Sequence, residues 1–160
     1  MATIAVGDIH GNLEALDDVL EQLRRAASRD DTVVFLGDYI DRGQGSKQCV
    51  DAILGFRRER KAEVVCLLGN HEDWLLRTLR DHSRHSWLVG MEAFDTIRSY
   101  SPEGAAALRE AAAEAGPELF LGNRRLPYID TISHGVLTAV RLPDRRLFQS
   151  ARSDRFRANP

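Results

Sequence analysis

Cysteine is scarce in this chain: two residues, Cys49 and Cys66, out of 160. Each lies in an apolar run, Cys49-Val50 and Val65-Cys66-Leu67, so both read as small buried hydrophobes rather than as a disulfide or a metal site. Long hydrophobic runs are missing too. No stretch approaches the roughly 18 apolar residues that a membrane-spanning helix needs, so no membrane partner is expected. The opening residues, Met1-Ala2-Thr3-Ile4-Ala5-Val6-Gly7-Asp8, contain no basic segment followed by a long apolar one. No secretory signal is visible, and the default expectation is a cytoplasmic protein. A strong charge of one sign is also lacking. The net charge of -2 argues against a general nucleic-acid binder, and no specific nucleic-acid partner is expected.

What is present suits a folded domain. Hydrophobic residues make up 43% of the chain and charged residues 29%, ordinary values for a globular protein. A chain of this length can bury a core of its own, and residues 1–150 read as a single domain. Residues 151–160 read as a basic, disordered tail. From Arg141 to Pro160 six arginines face only Asp144 and Asp154. That stretch is either a solvated surface or a contact for an acidic partner.

Three short apolar runs, Thr3 to Val6, Val33 to Leu36 and Val64 to Leu68, each stop at a glycine and read as buried strands. A helical pattern follows each. Asn12 opens one with Leu13, Leu16, Val19, Leu20 and Leu23 on a single face. Ser46 is positioned to cap a second, with Val50, Ile53 and Leu54 as its stripe. Trp74, Leu75, Leu76 and Leu79 support a third. Strand, loop and helix in repeated order predict an α/β fold with a parallel sheet covered on both faces.

The second half has a different pattern. Glu92 to Tyr100 reads as helical. Ser101-Pro102 forms a good start for an alanine-rich helix that runs to Ala115 and stops at Gly116-Pro117. Tyr128 to Ile132, Val136 to Leu142 and Arg146 to Gln149 read as strands, with Pro143-Asp144 turning between the last two.

In an open parallel sheet, ligands bind beyond the carboxyl ends of the strands. Three polar clusters lie there. Gly7-Asp8-Ile9-His10-Gly11 sets a carboxylate and an imidazole two residues apart, so both can project to one side and hold a divalent cation. Alternatively, Asp8 caps the next helix. Gly37-Asp38-Tyr39-Ile40-Asp41-Arg42-Gly43 repeats the carboxylate at the same point of its strand. It adds Arg42, whose planar donor fork suits phosphate, and Asp41, which could orient a histidine. Its plainer reading is a solvated loop ion pair. Gly69-Asn70-His71-Glu72 offers an amide oxygen to a hard cation and a histidine that can donate a proton to a leaving oxygen. Its plainer reading is Asn70 as a helix cap beside an exposed His71. Taken together, the clusters contain the residue types of a dimetal phosphoester hydrolase, in which two ions about 3.5–4 Å apart activate a water and clamp the phosphoryl oxygens.

The three motifs G-D-I-H-G, G-D-Y-I-D-R-G and G-N-H-E, each one strand–helix unit apart, resemble the signature of calcineurin-like metallophosphoesterases. The G-D-x-x-D-R-G form resembles the phosphoprotein phosphatase branch, which includes Ser/Thr protein phosphatases and bacterial diadenosine tetraphosphatases. The resemblance implies a two-sheet β-sandwich flanked by helices, and two divalent metals, manganese, iron or zinc. It implies that Asp8 and His10 bind the first metal, Asp38 bridges both and Asn70 binds the second. His71 would be the general acid paired with Asp41, and Arg42 would bind phosphate. Ile129-Asp130-Thr131 and Gly135 to Val140 resemble the family's closing strands.

Relatives of this type carry two more metal-binding histidines, in V-H-G-G or V-H-A-G and in G-H-T or G-H-W stretches. This sequence contains neither, and passes from Leu126-Pro127-Tyr128 directly into Ile129-Asp130-Thr131. His82 and His85 lie in a polar stretch and read as surface residues. His134, between the closing strands, is a candidate substrate contact or metal ligand. The first metal would thus keep Asp8, His10 and Asp38. The second would keep only Asp38 and Asn70, a weak site. The second sheet would be incomplete, exposing apolar surface that favours a homodimer.

The leading functional expectation is a metal-dependent phosphatase acting on phosphate monoesters, with a phosphorylated protein or a small phosphoester as substrate. The alternatives are a symmetrical diadenosine tetraphosphatase-like hydrolase and a catalytically impaired metal- or phosphate-binding remnant.

Overall fold

The computed structural model describes residues 1–60, 63–80 and 87–115. Three strands, β1 (Thr3–Val6), β2 (Thr32–Phe35) and β3 (Glu63–Cys66), form a parallel sheet in the order β1-β2-β3. The register aligns Thr3 with Thr32 and Glu63, and Val6 with Phe35 and Cys66, so the three strands end level. Helix α1 (Leu13–Ala26) joins β1 to β2, and α2 (Ser46–Glu59) joins β2 to β3. Four more follow: α3 (Asn70–Arg80), α4 (Trp87–Gly90), α5 (Phe94–Tyr100) and α6 (Pro102–Ala115).

The expected strands are present, but β2 and β3 each start one residue earlier and end earlier than the apolar runs. Leu36 is already outside the sheet and 47% exposed. Helix α5 starts at Phe94 rather than Glu92, because Glu92 has a left-handed φ of 54° that a helix cannot continue through.

Only one face of the sheet is thoroughly covered by the described elements. Val33, Phe35, Val64 and Cys66 are buried on it, with Ile4 and Val6 of the same parity half-buried. On the other face Thr3, Ala5 and Glu63 are exposed and Thr32, Val34 and Val65 half-buried. The described elements supply cover for one of the two faces. The cause is topological. Consecutive strand order with right-handed crossovers puts α1 and α2 on the same side. The closing strands expected between Tyr128 and Gln149, and with them the second sheet, lie outside the described residues. So does the 151–160 tail.

The covered face makes the core. Leu16, Leu20 and Leu23 of α1 and Cys49, Val50, Ile53 and Phe56 of α2 pack on it. The Phe35 and Phe56 rings meet edge to face at 6.3 Å. Burial of each large side chain contributes about 1.5–3 kcal/mol. Both cysteines are buried and free, as expected.

Helix starts follow the capping chemistry in two of three cases. Asn12 Oδ1 accepts from Ala15 N at 3.2 Å, and Ser101 Oγ accepts from Gly104 N at 3.1 Å. Ser46 does not cap α2. Gly45 occupies that position without a side-chain cap, and the Ser46 hydroxyl turns instead to Asp41 and Thr96. No described helix is long and apolar enough to cross a membrane.

Candidate functional site

Because the strands end level, the loops after β1, β2 and β3 emerge side by side. The first two are stitched along their backbones: Ile9 N and His10 N donate to Asp38 O at 3.0 and 2.9 Å, and Gly11 N to Tyr39 O at 2.9 Å. The second and third approach so closely that a Cβ on Gly37 would lie 2.3 Å from Gly69 N, and Gly37 itself has φ +109°. Those two motif glycines are there for backbone proximity.

Glu72 joins the same two loops. Its carboxylate is fully buried and accepts four backbone N–H groups: Asp38 at 2.8 Å, Tyr39 at 2.8 Å, Ile40 at 3.2 Å and Gly69 at 3.0 Å. Burial pushes this carboxyl upward, and the three N–H groups of residues 38–40 oppose the shift. The first turn of α3 receives further support from Asp38, whose Oδ1 accepts from His71 N at 3.1 Å. Those contacts, rather than an Asn70 cap, satisfy the donors of Gly69 and His71. Asn70 is exposed at the first position of α3.

Asp8, His10 and Asp38 converge, with one ligand atom of each within 4.8 Å of the others. The His10 ring is oriented for coordination. Its Nδ1 lies 3.1 Å from Ile40 O, an acceptor only, so Nδ1 carries the proton and Nε2 presents its lone pair. Nε2 lies 3.9 Å from an Asp8 oxygen and receives the Arg42 guanidinium at 3.2 Å. Two carboxylates and one neutral imidazole are a fitting donor set for a divalent transition metal. Among the described residues this is the cluster of His, Cys, Asp and Glu that could hold one.

Beside it sits a buried pair. His71, 3% exposed, donates from Nδ1 to Asp41 Oδ2 at 2.9 Å. That bond fixes the orientation of the ring. The His10 and His71 rings meet edge to face at 4.6 Å between centroids. Asp41 is wholly buried and held on every side. Trp87 Nε1 donates to Oδ2 at 2.7 Å and Thr96 Oγ1 to Oδ1 at 2.7 Å. The Asp41 N–H reaches Thr96 Oγ1 at 2.8 Å and Ser46 Oγ at 3.2 Å. Burial pushes the Asp41 carboxyl up, while bonds from Thr96, His71 and Trp87 pull it back. The plainer readings, a solvated loop ion pair and an exposed His71, do not hold.

The loops adopt strained backbone. His10, Asp38, Asp41 and Arg42 all have positive φ, at 48, 54, 72 and 65°. Asp and His enter this region more readily than most residues, and Arg42 does so at a cost of about 1–2 kcal/mol. Such strain persists where surrounding contacts over-determine it, and it clusters at functional sites.

The structure thus brings together Asp8, His10, Asp38, Asp41, Arg42 and His71, with Asn70 at the rim. His82, His85 and His134 lie outside the described residues. Sequence reasoning assigned no role to Glu72, Trp87 and Thr96 and misassigned Ser46. Glu72 did leave a signal: it stands three residues after Gly69, where a capping-box carboxylate reaches back to the N–H at the helix start.

The calcineurin-like phosphoesterase family model matches residues 1–136. The chain belongs to that family. Among curated relatives, the zinc-dependent endopolyphosphatase of Saccharomyces cerevisiae is 26% identical over 121 residues, 72% of this chain and 36% of the relative. The symmetrical bis(5'-nucleosyl)-tetraphosphatase of Pseudomonas fluorescens is 36% identical over 98 residues, 61% of this chain and 30% of the relative. Its counterpart in Stutzerimonas stutzeri is 29% identical over 143 residues, 89% of this chain and 45% of the relative. The match therefore spans less than half the length of each of these relatives.

Proposed function

We propose that this phosphoesterase-family chain is a metal-dependent phosphoester hydrolase. The observation that carries the proposal is the Asp8–His10–Asp38 cluster lying next to the buried His71–Asp41 pair. Asp8, His10 and Asp38 would hold a divalent ion, manganese, iron or zinc. Asp38 and Asn70 would hold a second, more weakly. Bound there, such ions supply Lewis acidity toward phosphoryl oxygens and lower the pKa of water.

The chain's own residues account for the remaining steps. Arg42, exposed at the mouth, binds the phosphate anion through its donor fork. His71 holds a proton on Nε2 for the leaving oxygen, and Asp41 keeps the ring turned for that transfer. His134 would be a further substrate contact.

Two substrate classes fit. A phosphate monoester, including a phosphorylated protein, is compatible with the G-D-x-x-D-R-G motif, which the tetraphosphatases of the same branch share. A dinucleoside tetraphosphate is favoured by the activity for which the bacterial relatives are named. The third reading, an impaired metal- or phosphate-binding remnant, follows from the absent V-H-G-G and G-H-T histidines. Association of two copies through an incomplete second sheet is the accompanying proposal, read by light scattering.

The test is a panel of an aryl phosphate, a phosphopeptide, a dinucleoside tetraphosphate and inorganic polyphosphate, with manganese and with chelator. Metal-dependent cleavage of any member supports hydrolysis, read as phosphate from the aryl phosphate or phosphopeptide, nucleoside diphosphates from the dinucleoside tetraphosphate, and shortened chains from polyphosphate; the preferred member names the class. No cleavage of any of them, with metal bound, would leave the binding-remnant reading in its place.

A further inference from the structure

We infer that Glu72 is a positioning residue for the metal-bearing loops. Its carboxylate holds Asp38 in the geometry that coordination needs, through its four backbone N–H contacts. The inference rests on the metal-site reading above and adds a residue that the reading does not use.

The geometry is specific. Oε2 takes the N–H groups of Asp38 and Gly69, and Oε1 those of Tyr39 and Ile40. One side chain on α3 therefore ties the loop after β2 to the loop after β3. Asp38 is anchored at each polar atom of its main chain, its N–H on Glu72 and its C=O on the N–H groups of Ile9 and His10. Held at φ 54°, it extends its carboxylate toward Asp8 and His10, with Oδ1 also against His71 N. Ile40, whose N–H is on Glu72, presents its C=O to His10 Nδ1. Glu72 thus acts on two of the three candidate ligands, Asp38 directly and His10 through Ile40, without touching the ion.

Four converging N–H groups require an acceptor at both oxygens. Glu72→Gln replaces one oxygen with an NH2 group that faces two donors and cannot accept from them. Two N–H groups then lose their partner, and the loop can relax out of its left-handed conformation. Groups that orient metal ligands typically change metal affinity by about 10–100-fold when removed. Glu72→Asp keeps two acceptor oxygens on a shorter stem and restores part of the effect.

The experiment is a manganese titration by calorimetry on the full chain, with melting temperatures recorded for each variant. Glu72→Gln should raise the manganese Kd at least about tenfold, with Glu72→Asp between it and the parent. Ile53→Val, a core variant away from the loops, should lower the melting temperature and leave Kd unchanged. A folded Glu72→Gln with the parental Kd would overturn the inference, because a merely structural glutamate affects melting alone. If Glu72→Gln does not fold, Glu72→Asp decides: a weakened Kd supports the inference and a parental Kd overturns it. A parent chain that takes up no manganese overturns the metal-site reading itself, and this inference with it.

Discussion

Thr96→Val probes the buried network that holds Asp41. The substitution is nearly isosteric, so packing changes little. It removes a hydroxyl that donates to Asp41 Oδ1 at 2.7 Å and accepts from Asp41 N at 2.8 Å. The N–H keeps Ser46 Oγ at 3.2 Å, and Oδ2 keeps His71 and Trp87. Oδ1 loses its short donor inside a residue that is 0% exposed. A hydrogen bond to a charged group is worth about 1.5–3 kcal/mol, and leaving the acceptor buried raises the total to about 2–4 kcal/mol. For a domain of this size, about 2–4 °C per kcal/mol makes the melting temperature fall by between about 4 and 16 °C. Urea denaturation reads the same quantity at constant m. Thr96→Ser should recover most of the loss. The proposed hydrolysis should also slow in Thr96→Val, chiefly in kcat, because the Asp41 bond that orients His71 loosens. A loss below about 0.5 kcal/mol, the range of a neutral surface change, would refute the view that Thr96 secures Asp41.

Other perturbations probe the ends of the sheet, the core and the loops. Asp31 accepts from Ser28 N, Ala2 N and the Ser28 hydroxyl, and these bonds lower its carboxyl from 3.8 to about 2. A depressed carboxyl stabilises the fold above its unfolded pKa and loses that effect as pH falls through the folded value. The melting gap between parent and Asp31→Asn should therefore be full at neutral pH and shrink between about pH 4 and 2. Burial pushes the Cys49 thiol up to about 12 and that of Cys66 up to about 11. Neither should react with a disulfide reagent at pH 8 until urea unfolds the chain, and rapid native labelling would contradict the buried placement. Gly37→Ala puts a Cβ 2.3 Å from Gly69 N at φ +109° and should cost at least about 1–3 kcal/mol by denaturation.

Much of the site was legible because it rests on local chemistry. Each apolar run stopped at a glycine, and each stop placed Asp8, Asp38 or Asn70 at the end of a strand. Parallel pairing then aligned those ends without further information. Tertiary contacts decided the rest. Thr96 lies 55 residues from Asp41 and Trp87 lies 46 away, and no local pattern announces either pairing. Ser46 carried a good capping signal, yet the buried Asp41 N–H and Thr96 hydroxyl claimed its oxygen. Strand hydrophobicity points to cover on both sheet faces, and connection handedness places α1 and α2 on one of them. The Glu72 contacts required the loops after β2 and β3 to be in place before its helix-start position could be read as a tie between them.

The most direct test of the central claim is kcat for an aryl phosphate under saturating manganese, in the parent chain and in His71→Ala. The account predicts turnover in the parent and a fall of about 10²–10⁴-fold in the variant, the usual effect of losing a positioned general acid. Equal turnover in the two proteins would contradict it.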